Sequence, residues 1–319
     1  MDRTLLILLA VLAASLAGAL AMPAWAVSLA TMALAKALVV LGLVVLLRCG
    51  LVPFGQALFF ALGAYGGGMA LRKLGIADAL LGVAIGTAVA GTVAFLLGFL
   101  MARYREIFFA MLSVAFSMIF YGALVKNEAL GSTDGFNLPT PTFLGYAPKG
   151  EEMRRTLLAY TALVSVGLHA LVHAYLASPL GRAATAIRDN EIRVEYLGAS
   201  VQRLIHGKFV MAGALAGAGG ILVGMATGHI DPEMSYWTTS GEFVFIAIMG
   251  GASSVVAAIA GSAVFEVVRT YALQYAPQAW QGVIGAVLLL IILFLPNGLW
   301  SLVERRRKRA AGAAGEPGR

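Results

Sequence analysis

Apolar runs long enough to cross a bilayer recur along almost the whole chain, and that recurrence limits the architectures open to it. A helix rises about 1.5 Å per residue and the hydrocarbon core of a bilayer is about 30 Å thick, so a span needs about twenty residues. Segments such as LLILLAVLAASLAGALAM and VLLLIILFLP are uniformly apolar. Barrel strands would alternate every second residue, so the chain is read as all-α, a polytopic transmembrane helical bundle. Composition agrees: 60% of the 319 residues are hydrophobic and 12% charged, against roughly a quarter charged in soluble domains.

The runs mark ten spans, with eight to eleven compatible with their lengths: Leu5–Met22, Trp25–Leu47, Leu51–Leu71, Ala79–Leu100, Ile107–Val125, Thr156–Leu176, Phe209–Thr227, Glu242–Ala257, Ala258–Tyr275 and Gln281–Val303. Together they make one transmembrane domain over 1–303, with polar loops at 126–155 and 178–208. The basic tail 304–319 is expected to carry no fold of its own. Arg3 before an apolar run and Ala24-Trp25-Ala26 after it could mark a cleaved signal, but a second span follows at once, which suits a retained helix better.

Lys and Arg near short loops stay on the cytoplasmic side. Ten spans with both termini inside place Arg3, Arg48, Arg103, Arg105, the Arg182–Lys208 set and Arg305–Arg309 in the cytoplasm, leaving only Arg72, Lys73, Lys126, Lys149, Arg154 and Arg155 outside. The tail ERRRKR reads as a topology anchor against anionic lipid. With no aromatic interleaving and no soluble domain, the net charge of +7 does not indicate nucleic-acid binding.

Two spans carry interruptions, Arg48 to Gln56 with Gly50, Pro53 and Gly55, and Gly250 to Ser254. Freed backbone groups at membrane depth are tolerated where they are buried in protein or line a cavity, so each interruption is either a pathway element or a plain interhelical turn. Gly55-Gln56 followed by Phe59 and Ala61 echoes Gly241-Glu242 followed by Phe245 and Ala247, a trace of two related halves. Gly213, Gly217, Gly220, Gly224 and Gly228 recur at three- and four-residue steps, a stripe that lets a neighbouring backbone, of this chain or another, come close.

Chemistry is sparse. His169 and His173 are four apart, but the Glu of a hydrolytic zinc helix is missing between them and no third ligand is evident, so no metal site is expected. The one cysteine, Cys49, excludes an internal disulfide and reads as a small packed hydrophobe. No converging catalytic set is visible. No G-x-x-x-x-G-K-[ST] phosphate cradle occurs either, so any nucleotide energy must come from another polypeptide. Lys36, Arg269, Glu242 and Glu266 fall in or near spans, where charge is costly and faces a bundle interior, a cavity or a partner. Pairing or snorkelling accounts for Lys36 and Arg269, and Glu242 suits either a cavity role or a cap on the span that follows.

The polar stretch Ser178–Lys208 is longer than a turn between spans requires. Ala183, Ala186, Ile187, Val194 and Leu197 follow helical spacing on one side, Arg182, Arg188, Asp189, Glu191, Arg193 and Glu195 are charged, and Gly198 is a natural helix stop. The expectation is one short amphipathic helix at the cytoplasmic surface. Its nearly balanced charge favours a protein partner over an anionic bilayer.

At this point the sequence resembles the permease subunits of branched-chain amino acid ABC importers. Ser178-Pro179-Leu180-Gly181-Arg182, Ala186-Ile187-Arg188-Asp189-Asn190-Glu191 and Gly198 look like that family's coupling region. Further matches are Phe54-Gly55-Gln56-Ala57 with Gly63-Ala64-Tyr65, Arg105 to Met111, Gly131 to Gly135, Asp231-Pro232-Glu233 with Ser240 and Glu242, Gly250-Gly251, and Pro296-Asn297-Gly298-Leu299. They run in order from about Trp25 to Trp300. Pro53-Phe54, and Ala257-Ala258 after Gly250 to Ser254, depart from the family pattern and leave room for urea, amides or aromatic acids as substrates.

The resemblance implies a bacterial inner-membrane permease without an ATPase site of its own, moving branched-chain or related amino acids by alternating access. Implied partners are a homologous second permease, two ATP-binding subunits that hold ATP and Mg, a periplasmic binding protein docking near the Gly131–Pro148 and His229–Thr239 loops, and membrane lipid. Gly181, Arg182, Arg188, Asn190, Glu191 and Gly198 are the implied coupling residues, with Arg188, Asn190 and Glu191 touching the ATPase. Gly55, Gln56, Glu242, Gly250 and Gly251 are the candidate pathway. An ion-coupled secondary transporter is the other class compatible with such spans.

Overall fold

The computed structural model describes residues 2–73, 78–295 and 298–302. Pro296-Asn297 and the basic tail lie outside the described residues. Twelve α-helices are described: α1 Arg3–Ala21, α2 Ala24–Leu47, α3 Gln56–Lys73, α4 Ala79–Met101, α5 Glu106–Lys126, α6 Glu151–Ala177, α7 Pro179–Asp189, α8 Glu191–Tyr196, α9 Val201–Thr227, α10 Trp237–Gly250, α11 Val255–Tyr275 and α12 Trp280–Phe294. Seven of these, α1, α2, α4, α5, α6, α9 and α11, are long and apolar enough to cross a membrane. α3, α10 and α12, at 18, 14 and 15 residues, are shorter or less apolar than these seven and occupy the other three of the ten expected spans.

The bundle is built around α2 and α9. Residues Ala33–Leu46 of α2 are buried on every side, and all of them but Lys36 are apolar. α9 packs against α2, α3 and α4. In hydrocarbon, apolar burial gives helices no reason to associate, so close packing must hold them together, and small residues permit it. Gly213, Gly217, Gly220 and Gly224 of the glycine stripe are the device, and their neighbours belong to this same chain, whereas Gly228 caps α9 at φ 70° with nothing within 4 Å. A Cβ on Gly220 would strike the Phe60 carbonyl oxygen of α3, one on Gly213 or Gly217 would strike Ala94 or Ala90 of α4, and one on Gly219 would sit 2.7 Å from the Ala35 oxygen of α2. Gly63 of α3, Gly86 of α4 and Gly42 of α2 make the reciprocal approaches. α4, α5 and α12 turn Phe95, Phe99, Ile107, Phe108, Ile119, Leu289, Leu293 and Phe294 outward, as lipid-facing helices do.

Helix ends gather on two faces. On one, β1 (Phe136–Asn137) pairs antiparallel with β2 (His229–Ile230), so the loops after α5 and α9 are stitched into a single ribbon, with His229 Nδ1 2.8 Å from Asn137 Oδ1. The Tyr146 hydroxyl on this face donates to Glu152. That bond favours the neutral phenol and holds its pKa above the ordinary value. On the opposite face lie α7, α8 and both helix interruptions.

Several boundaries differ from the sequence reading. α9 begins at Val201 rather than Phe209, because Ser200 caps it through the Arg203 amide and the polar residues that follow form its first two turns. Lys208, expected in a cytoplasmic loop, is buried in α9, where its ammonium donates to the Leu180 carbonyl at 2.9 Å. The span expected over Glu242–Ala257 starts earlier, at Trp237, and stops at Gly250, because Gly251 turns with φ 92°. Glu242 is therefore inside α10 and is not a cap.

Candidate functional site

The two interruptions meet. After α2 the chain turns through Gly50 at φ 79° and runs extended to α3. Its amides find partners inside the protein: Leu51 N reaches Leu46 O, Phe54 N reaches Ser113 Oγ, and Ala57 N in the first turn of α3 reaches Ser240 Oγ of α10. Arg48 crosses from the first interruption to the second, its Nε donating to Ala252 O at 3.0 Å and its Nη2 to Ser253 O at 2.7 Å. A guanidinium fork thus satisfies carbonyls freed just beyond the end of α10, where its positive charge also complements the helix dipole. Arg48, Gly50, Val52, Gly251 and Ser253 line a cleft of about 930 Å³ together with Thr185 and Arg188 of α7. Both interruptions are therefore buried against protein on one flank and open to a cleft on the other.

The segments that echo each other also come together, with Phe60 of α3 and Phe243 of α10 in edge contact at 5.1 Å between centroids. Their helical positions are not equivalent, since Gln56 opens α3 whereas Glu242 is the sixth residue of α10. Of the candidate pathway residues, Gly55 is packed against the Ser113 backbone and Gly250 against Ala257 and Gly261. Gln56 is 1% exposed with both amide atoms unpaired. Gly251 and Glu242 border open clefts, one toward each face of the bundle.

The expected single coupling helix is two. Ser178 caps α7 with Pro179 in its first turn, and Asn190 then leaves the helical region at φ −165°, ψ 103° and caps α8 by accepting from Arg193 N at 2.9 Å. The inward residues are Gly181, Ala184, Ile187 and Val194, while Ala186 and Leu197 of the expected buried side are exposed and Ala183 is half-buried. A Cβ on Gly181 would meet the Tyr175 and Leu176 backbone of α6, so the glycine permits the docking of α7. Gly198, at φ 83°, ends the α8 turn. Glu191 is engaged within the chain, accepting from Arg105 Nε at 2.6 Å. Asn190 and Glu191 thus hold α8 in place, and Arg182 and Arg188 present the exposed charges. The sequence reading passed over Leu180, Ile192 and Tyr196, which with Leu197 at the end of α8 are exposed apolar residues of this region. Their position off the helical stripe was the available signal.

The four intramembrane charges converge on one cluster. Lys36 is the thirteenth residue of α2, roughly 18 Å along its axis. Its Nζ lies 2.5 Å from Glu266 Oε1 of α11 and 3.8 Å from Glu242 Oε2 of α10. Arg269 of α11 reaches the same Glu242 oxygen at 3.9 Å and stacks over Trp280 of α12 at 5.5 Å. The cluster is formally neutral and ties α2, α10 and α11 together. His169, by contrast, turns Nδ1 to its own helix at Ser165 O, and His173 lies 3.8 Å from Asp2.

Residues 25–293 match the family model described as branched-chain amino acid transport system / permease component. The chain is 28% identical over 311 residues to the high-affinity branched-chain amino acid transport system permease protein LivM of Escherichia coli (strain K12), covering 90% of this chain and 73% of the relative. It is 28% identical over 123 residues to the permease protein LivH of Salmonella typhimurium, covering 38% and 40%. It is 27% identical over 194 residues to the permease protein BraD of Pseudomonas aeruginosa, covering 57% and 62%. No solved structure matches. A multi-pass helical chain matched over most of its length in this way belongs to the branched-chain amino acid transport permease family.

Proposed function

We propose that the chain is the membrane-spanning subunit of an ATP-driven importer of the bacterial inner membrane, moving branched-chain or related amino acids by alternating access, with both termini cytoplasmic. One observation carries the reading: α7 and α8 form a platform outside the spans, with exposed apolar and basic side chains, and α7 shares the cleft where both interruptions meet. The chain has no phosphate cradle, so the ATPases that bind ATP and Mg are separate subunits docking on that platform. Movement of α7 would reach α10 through the Arg48 bridge, because Arg188 and Arg48 line the same cleft. The β1–β2 ribbon on the opposite face is the docking surface for a periplasmic binding protein. A homologous permease completes the membrane pair, consistent with relatives that carry two distinct permease names.

The test is uptake by proteoliposomes containing the chain, its partner permease, the ATPases and the binding protein. Uptake is expected to need ATP and to persist when the proton gradient is collapsed. Uptake that survives ATP depletion with the gradient maintained would assign the chain to ion-coupled transport instead.

A further inference from the structure

The four-charge cluster is closed on one side and open on the other. Lys36 and Glu266 touch at 2.5 Å with side chains 6% and 8% exposed, a buried structural pair. Glu242 lies 3.9 Å from Arg269 and 3.8 Å from Lys36, both too long for a hydrogen bond, and the Glu242 and Arg269 side chains are 21% and 31% exposed. A guanidinium and a carboxylate in direct contact are hydrogen-bonded at about 2.7–2.9 Å, frequently as a bidentate fork. Here neither group donates to or accepts from another described residue in a hydrogen bond, although both are largely withdrawn from solvent. They instead border a cleft of about 620 Å³ between the start of α10, the end of α11 and the start of α12, within the size range of about 300–1,000 Å³ typical of small-molecule sites.

We propose that this cleft is a zwitterion-binding site in which the parted Glu242–Arg269 pair takes the two ends of an amino acid, Glu242 receiving the ammonium and Arg269 the carboxylate. The inference rests on the transport reading above and locates a site within it. A cluster of two cations and two anions has no net charge to offer, so a ligand bearing a single charge leaves one half-buried group unmatched, whereas a zwitterion matches both. Trp237, Phe245, Trp280 and Ile284 line the same cleft and give an uncharged, apolar side chain its contact. Arg269 lies over the Trp280 ring at 5.5 Å, a cation–π contact that holds the guanidinium at the cleft wall, and the Lys36–Glu266 pair ties α2 to α11 behind it.

The experiment is competition against radiolabelled leucine on the intact transporter in nanodiscs, without binding protein, using unlabelled leucine, leucinamide and 4-methylpentanoate. Each single-charge analogue forfeits a charge-assisted contact and is expected to compete at least about tenfold more weakly than leucine. E242Q should erase the preference for leucine over 4-methylpentanoate, and R269Q the preference for leucine over leucinamide. The analogue series on the unaltered protein stands even where a variant folds poorly. Equal competition by all three compounds, absence of saturable leucine binding, or well-folded variants that keep the wild-type preferences would each overturn the site. Loss of ATP-driven uptake with the binding preferences intact would overturn the transport reading and leave the site standing. Normal uptake without the preferences would do the reverse.

Discussion

Replacing Lys36 with Met tests the physical reading of the buried pair most sharply. Lys36 and Glu266 are 5% and 6% exposed. At an effective dielectric of about 20, a 2.5 Å contact is worth roughly 7 kcal/mol of gross attraction, and the 3.8 Å contact to Glu242 roughly 4 kcal/mol. Desolvation of the ions offsets much of this in the intact protein, but Lys36→Met removes the attraction and leaves the cost of the buried carboxylate in place. Glu242 keeps Arg269 at 3.9 Å, so the damage falls on Glu266. The expected loss is about 3–5 kcal/mol, the usual result of orphaning a buried charge. Lys36→Met with Glu266→Met removes both charges and inserts apolar side chains of similar size, so it should recover most of that loss or exceed wild type. Reversible unfolding in mixed micelles reads the free energy directly. A single variant within about 1 kcal/mol of wild type, or a double variant as unstable as the single one, would refute a desolvated pair at this position.

Other outcomes follow from the packing and the interruptions. Gly220→Ala drives a methyl into the Phe60 carbonyl and should cost about 1–3 kcal/mol in the same assay, whereas Gly207→Ala, with nothing within 4 Å, should be neutral or stabilising by up to about 1 kcal/mol. Arg48→Met frees the Ala252 and Ser253 carbonyls and is expected to cost about 1.5–3 kcal/mol. It should also lower uptake more than ATP hydrolysis in the reconstituted complex; equal falls in both would remove it from the transmission route. Tyr196→Asp and Leu197→Asp, at positions 88% and 82% exposed, should leave folding unchanged and abolish co-purification with the ATPases, while Glu191→Lys should loosen α8 by breaking its contact to Arg105. On the ribbon face, the Tyr146 phenol is held above its ordinary pKa by Glu152, so its contribution is present at neutral pH and lost as pH rises through the raised value. Tyr146→Phe should therefore remove a late component from the alkaline absorbance titration, and loss of an early component would contradict that bond.

The fold class and both interruptions were legible in the sequence, because hydrocarbon forces every backbone group to be satisfied locally and leaves apolar runs of nearly fixed length. Family membership was equally legible from short motifs in a fixed order along the chain. Less could be read from the polar stretch, where Asn190 could continue a helix or cap a new one and only the contacts of α6 and α9 select the second. The partners of the glycine stripe, the burial of Lys208 and the meeting of two interruptions through Arg48 join residues as much as 205 positions apart. So does the charge cluster. Local pattern marked Lys36, Glu242, Glu266 and Arg269 as costly one by one, but only three helices packed together decide that two of them close on each other and two stay parted over a cleft, since ion-pair energy depends on angstroms of separation that no spacing along a chain encodes.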